Sequence, residues 1–343
     1  MKRPRELKMM RGRRIGVLMG GLSSERDQSI RTGDAVHASL VERGYDAVKV
    51  FVDSDLDLLL RAERIDIAFL ALHGRYGEDG CVQGMLELFG IPYTGSSVLA
   101  SALAMDKLKA KELFRLHNVP TPPYYVHVRG EGAAGEQHGS FGFPSVVKPR
   151  AEGSSLGVRR VDEVDELESA VDEALRFDDH ALVERFVDGA EVHVALLGGR
   201  PLGAVEVDRA GRLFDFAARA ANVMPLYAPP RLSVERLRGA MTLAMRAARA
   251  LECNGLCEVD LVISDRGNEQ VLEVDTQPSL APHSLVPKIA HAAGWSFDDL
   301  VEAMLHEAQL HTANRATGAR RMRQTEGYAG PERRTQQPTS EPH

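Results

Sequence analysis

The segment Gly255 to Ser279, GLCEVDLVISDRGNEQVLEVDTQPS, constrains this chain more than any other. Two apolar runs of period two flank a turn signal at Arg266-Gly267, the pattern of a β-hairpin in which residues two apart share a face. A reversal there sets Asp260 opposite Glu273 and Glu258 opposite Asp275. Four carboxylates then crowd one face, and like charges directly opposed in a sheet are destabilising. A fold that keeps this hairpin has to bring positive charge to it.

The 343 residues, 43% of them hydrophobic, are enough for two or three domains with their own cores. A formal net charge of -7 argues against nucleic acid as the main partner, since such domains carry a basic footprint. No apolar run approaches the roughly 18 residues that span a bilayer. The basic start, MKRPRELKMMRGRR, lacks the apolar core of an export signal, so residues 1–13 read as a solvated extension. Cys81, Cys253 and Cys257 have no metal-ligand spacing and read as reduced thiols of a cytoplasmic protein.

Strands alternate with helices from RRIGVLMGG to IDIAFLALHG, which predicts a parallel α/β domain over residues 14–95. Ligands bind beyond the carboxyl ends of such strands, where the loops GGLSSERD and HGRYGEDG fall. A small middle α+β domain is expected over 96–183, opening with a helix after Asp106. The prolines of VPTPPYYV suit a linker or edge strand, and FPSVVKPR reads as a strand. HALVERFVDGAEVHVALLG reads as two strands around an Asp-Gly turn, and a C-terminal α+β domain runs over 184–312. The tail 313–343 is polar, poor in aliphatics and expected to be disordered.

Several residues invite a chemical reading, each beside a plainer one. In VVKPRAEGSSLGV, the strand-borne Lys148 precedes a loop whose Ser154, Ser155 and Gly157 can offer backbone donors, a combination that suits phosphate, although a hairpin turn beside a surface lysine looks the same. No Walker A loop is present. Lys107 opens a helix. Glu184 and Glu191 flank RFVDG, where a carboxylate can accept bonds from a nucleoside or simply face solvent. Glu25 lies near a helix N-terminus and would serve there as a capping or dipole partner; His73 follows a strand as an ordinary loop residue would.

Together the segments GGLSSER, ALHGRYGEDGCVQGMLELFGIPYTGSSVLASALAMDK, VVKPRAEGSSLGV, VERFVDGAEV and LEVDTQPSLAPHSLVP give the chain a resemblance to the D-alanine:D-alanine ligases of the ATP-grasp superfamily, from Arg14 to about Leu310. The resemblance implies a three-domain architecture with ATP clasped between the middle and C-terminal domains. It implies phosphorylation of one D-alanine carboxylate by ATP, attack by the amine of a second D-alanine, and a dipeptide for peptidoglycan. It also implies a cytoplasmic homodimer acting on small molecules. By the same resemblance Glu25 anchors the first amino group, His73 lies near the first substrate, and Ser279 and Ser284 serve the second. Lys107 and Lys148 are ATP phosphate ligands, Glu184 and Glu191 adenosine contacts, and Ser154, beside Ser155 of the cofactor loop, lies near the substrates, in a catalytic set with Glu25 and the positions of Arg219 and Glu258. Asp260, Glu273 and Asp275 hold magnesium, or manganese, as hard oxygen ligands.

Four departures from the family pattern stand out. Glu258 occupies the position of a family arginine, Asp275 that of an asparagine, Ser279 that of a glycine, and Arg219-Ala220 that of a Lys-Tyr pair. Loss of one preorganised transition-state donor costs about 2.7 to 4 kcal/mol. The expectation is therefore either a ligase in which another cation fills the gap, Arg219, a repositioned metal ion or a shared proton, or a non-catalytic paralogue that retains the fold.

Overall fold

The computed structural model describes residues 10, 12–139, 141–209, 213, 224–264 and 268–312. The expectations for Arg219, Ala220, the Arg266-Gly267 turn and the tail 313–343 lie outside the described residues, as does most of the N-terminal extension.

Strands β1 (Arg14–Gly20), β2 (Asp46–Val52) and β3 (Ile67–Leu70) form a parallel sheet in the order β2-β1-β3. Parallel neighbours need crossovers, supplied here by α1 (Arg26–Glu42) and α2 (Leu56–Ala62). α1 lies directly on β1, and Gly33 permits the approach, because a Cβ there would fall 2.5 Å from Met19 Cε and 2.6 Å from Met19 Cβ. α3 (Cys81–Phe89) then follows the His73 loop.

α4 (Val98–Met105) and α5 (Lys107–Leu116) carry Ala104, Ala110 and Phe114 into the core of the largest sheet. Four antiparallel strands come next in the order β4-β7-β5-β6: β4 (Tyr124–Val128), β5 (Ser145–Pro149), β6 (Arg159–Val161) and β7 (His180–Arg185). β4 after the prolines is an edge strand, where a missing N–H is tolerated. The short α6 (Ala134–Gln137) and α7 (Val164–Ala174) pack together beside this sheet.

The largest sheet is antiparallel in the order β10-β9-β8-β11-β12, from β8 (Ala190–Leu197), β9 (Arg200–Val207), β10 (Leu226–Tyr227), β11 (Leu256–Ile263) and β12 (Glu269–Asp275). Alternation sorts its two faces: Val192, Val194, Leu196, Cys257, Val259 and Leu261 bury against α8 (Val234–Ala250), and the intervening polar residues turn the other way. α9 (Leu285–Ala292) and α10 (Phe297–His306) complete the described chain.

Two sequence expectations change. β7 and β8 do flank Asp188-Gly189, yet they join different sheets and make no hairpin: β7 pairs with β4 and β5, β8 with β9 and β11. Gly189, at φ 144°, sits where a Cβ would lie 2.3 Å from the Ile263 carbonyl oxygen, so the turn is built around contact with β11. In the acidic hairpin, Glu258 opposes Asp275 and Asp260 opposes Glu273 as expected, but a bulge follows Asp260 and pairs Leu261 with Val271. Such bulges re-aim side chains next to functional sites.

Gly33→Ala is expected to destabilise the protein by about 1 to 2 kcal/mol, because overpacking against Met19 Cβ, which no rotamer change relieves, exceeds the helix-propensity gain. The midpoint of urea unfolding measures it; an unchanged or higher midpoint would contradict the close-approach argument.

Candidate active site

Two adjoining cavities lie along the polar face of the large sheet. The larger, about 450 Å³, is lined among others by Glu25, His73, Ser154, Glu258, Asp275, Ser279 and Ser284. The smaller, about 80 Å³, is lined by Lys148, Ser155, Glu184, Phe186, Glu191 and Arg209. Lys107, Asp260 and Glu273 line both, so the acidic hairpin forms the seam between them.

Glu25 does not cap α1: no side-chain cap bond is present at its position. Its carboxylate accepts the Ser154 hydroxyl, and its Oε2 atom is buried without a hydrogen-bond partner. Gly153 lets the loop come this close, since a Cβ there would stand 2.6 Å from that Oε2 atom. Ser154 and Ser155 hold left-handed φ values of 49° and 57°, uncommon for serine and a sign of a loop held by its surroundings. Arg150 grips the Asp106 carboxylate with Nε at 2.9 Å, and Asp106 caps α5 through the Lys109 N–H, which fixes Lys107 beside the same loop. Lys107 Nζ donates to the Glu152 carbonyl at 2.5 Å and lies 3.4 Å from Glu273.

A chain of hydroxyls and an imidazole crosses the larger cavity. Ser284 Oγ donates to Ser279 Oγ at 2.8 Å, Ser279 Oγ is 3.4 Å from Thr32 Oγ1, Thr32 Oγ1 is 3.0 Å from His73 Nε2, and His73 Nδ1 is 3.2 Å from Glu78 Oε1. Burial lowers the His73 pKa, so the ring is neutral. Burial, with Glu25 nearby, raises the Glu78 carboxyl well above the usual carboxylate range. Thr32 and Glu78 escaped the sequence reading, because a threonine inside a helix and one glutamate in an acidic loop carry no pattern of their own.

At the smaller cavity, Lys148 Nζ lies 2.7 Å and Lys111 Nζ 3.2 Å from Glu184 Oε1. Lys111, fully buried, also donates to Thr121 at 2.6 Å, and burial pulls its pKa down to about 8. Glu191 sits 3.3 Å from Arg209.

The acidic face has a cation that the sequence reading missed. His193 on β8 stands directly opposite Asp260, and its Nδ1 lies 2.7 Å from Asp260 Oδ1 and 2.8 Å from Glu258 Oε1. Nε2 lies 3.2 Å from Glu191 Oε1. Burial opposes the charged ring, but Asp260, Glu191 and Glu258 outweigh it and hold the pKa well above the ordinary imidazole value. The compensating charge therefore comes from a neighbouring strand. On the far side of the hairpin, burial and the nearby Glu78 and Glu258 raise the Asp275 carboxyl well above its ordinary range. Crowded, buried oxygen donors of this kind fit a hard divalent cation, which relieves their repulsion.

Two outcomes are expected. Glu184→Gln leaves two buried ammonium groups short of their counter-charge and is expected to lower unfolding stability by about 3 kcal/mol, read by urea denaturation. Glu78→Gln tests the raised carboxyl: its favourable contribution is present below the unfolded pKa of about 4.3 and is lost as pH rises through the folded value. The stability of the variant relative to wild type should rise as pH is raised from about 5, by at most about 1.4 kcal/mol per pH unit. A constant difference over that range would count against it.

The family model described as D-ala D-ala ligase N-terminus matches residues 56–96, and that described as D-ala D-ala ligase C-terminus matches residues 113–306. The chain is 46% identical over 302 residues to the D-alanine--D-alanine ligase of Geotalea uraniireducens, covering 88% of this chain and 97% of that protein. It is 47% identical over 308 residues to the enzyme of the same name from Geobacter sulfurreducens, covering 89% and 97%. Among solved structures, D-alanine--D-alanine ligase from Bacillus anthracis complexed with ATP superposes with a TM-score of 0.77 at 34% identity, covering 86% of this chain and 97% of that one. The VanG D-Ala:D-Ser ligase from Enterococcus faecalis gives 0.75 at 27%, covering 86% and 100%. No helix among the described residues is long and apolar enough to cross a membrane. With both halves of the fold matched in order and the curated relatives covered almost end to end, the chain belongs to the D-alanine:D-alanine ligase family of ATP-grasp enzymes.

Proposed function

We propose that this chain joins two D-alanine molecules at the expense of ATP, giving the dipeptide used in peptidoglycan, ADP and phosphate. The observation that carries the reading is the pair of cavities meeting at Lys107, Asp260 and Glu273, with a buried, unpartnered Glu25 oxygen at the far wall of the larger one. A carboxylate so placed suits the ammonium group of a first amino acid, which turns that molecule's own carboxylate toward the seam.

Adenosine suits the smaller cavity, between Glu184 and Glu191, with the γ-phosphate reaching the seam. Lys148 and Lys107 supply positive charge to the phosphates, and the Ser154-Ser155 loop supplies backbone donors. A magnesium ion held by Asp260, Glu273 and Asp275 would neutralise charge on the phosphates. The first carboxylate attacks the γ-phosphorus, ADP leaves, and an acyl phosphate forms. The amine of the second D-alanine, whose carboxylate lies against Ser279 and Ser284, attacks the acyl carbon; the C–O bond breaks and phosphate departs. The hydroxyl and imidazole chain from Ser284 to His73 orients both substrates, and burial keeps the ring neutral, suited to carrying a proton.

Glu258 stands in the cavity wall as an acidic residue, with the His193 ring 2.8 Å away as a partner that it shares with Asp260 and Glu191, which offsets part of the sign reversal noted in the sequence. The reading as a non-catalytic paralogue finds no support in the relatives.

Phosphate release measured with D-alanine, ATP and magnesium, alongside detection of the dipeptide, tests this reading. Glu25→Gln is expected to lower kcat/KM for D-alanine by roughly 10² to 10³, the scale of losing one buried hydrogen-bonded charge partner. Absence of dipeptide from the wild-type protein at saturating substrates would sink it.

A further inference from the structure

We propose that His193, Glu258 and Asp260 form a metal site with a nitrogen ligand, selective for a first-row transition cation over magnesium. It differs from the all-oxygen magnesium site proposed above on Asp260, Glu273 and Asp275, although Asp260 would serve both. The inference rests on the ATP-grasp reading only for what the second cation accompanies.

Three ligand atoms, one each from His193, Glu258 and Asp260, lie within 4.8 Å of one another. Two of those contacts are short, with Nδ1 at 2.7 and 2.8 Å from the two carboxylate oxygens. Neighbouring ligands around an octahedral ion with bonds of about 2.1 Å stand about 3 Å apart, so a cation that displaces the Nδ1 proton to solvent needs a shift of only a few tenths of an ångström to take its place. All three residues are buried, His193 completely, on adjacent strands whose register is fixed by the sheet.

An independent feature points the same way. The other ring nitrogen of His193 meets Glu191 at 3.2 Å, and Glu191 is itself held by Arg209 at 3.3 Å. A carboxylate on the remote nitrogen is what orients a metal-binding imidazole and raises its basicity. Glu258 and Asp260 both line the larger cavity, which gives an ion a way in. The donor set determines the preference: magnesium favours oxygen ligands and sheds water reluctantly, whereas the first-row divalent cations accept an imidazole nitrogen, with an affinity that rises from manganese to copper.

Manganese(II) is the probe, titrated into the full chain without nucleotide and followed by electron paramagnetic resonance. The proposal expects an imidazole nitrogen coupling in the pulsed spectrum. It also expects Mn2+ to bind at least about tenfold more tightly than Mg2+, an advantage that shrinks about tenfold in His193→Ala, the scale seen when support for a metal ligand is lost. Asp275→Asn should keep the nitrogen coupling. Should His193→Ala fail to fold, His193→Gln and ¹⁵N-histidine labelling of the wild type identify the nitrogen instead. Bound manganese without nitrogen coupling, or coupling that survives both His193 substitutions, overturns the proposal. Dipeptide synthesis with magnesium alongside no nitrogen coupling would overturn it and leave the ligase reading standing; coupling without dipeptide synthesis would do the reverse.

Discussion

The cross-strand contact of His193 with Asp260 and Glu258 is the constraint on which the site depends. The polar face of the large sheet carries Glu191 and His193 on β8, Glu258 and Asp260 on β11, and Glu273 and Asp275 on β12. Repulsion among unit charges a few ångströms apart amounts to about 4 kcal/mol per pair at an effective dielectric of 20, comparable with the net stability of a domain. One buried imidazolium, with Lys107 near Glu273 and Arg209 near Glu191, brings that face close enough to balance to be kept in a folded state. The charge left over is of the sign that attracts a divalent cation.

The architecture follows from the need to present this face. The opposite side of the sheet is mostly apolar under α8, with Glu206 opposite Val192 held by Arg231, so the acidic hairpin residues cannot turn inward without stranding charge in the core. The parallel domain and the four-stranded sheet then close over the open side, one bringing Glu25 and His73 and the other bringing Lys148 and the serine loop. The Glu25 contact with Ser154 joins these two units at the point where the first substrate is expected. Gly153 keeps that contact possible, since any side chain there would meet the carboxylate.

Much of this was legible in the chain. The turn signal at Arg266-Gly267, with period-two alternation on either side, gave the register of Glu258 with Asp275 and Asp260 with Glu273. Strand-helix alternation gave the parallel sheet, and the prolines before Tyr124 gave an edge strand. The bulge after Asp260 was not legible: the extra residue, Leu272, follows another aliphatic residue, Val271, and leaves no compositional trace there. The split of β7 and β8 between two sheets was hidden for a related reason, since an Asp-Gly pair permits a reversal but does not choose the partners of the strands it joins.

By itself the sequence determined the acidic hairpin, its register, the lysines and serines of the loop between Lys148 and Gly157, and the kinship they imply. It also raised the difficulty of Glu258, a negative charge where positive charge was wanted. Only the tertiary structure supplied the answer, because the compensating group lies 65 residues away in sequence, on a strand whose neighbour is set by sheet order. His193 alternates with Glu191 and so was bound to share its face. That this face meets Asp260 depends on long-range strand pairing, fixed by burial on the other side of the sheet and by no local pattern.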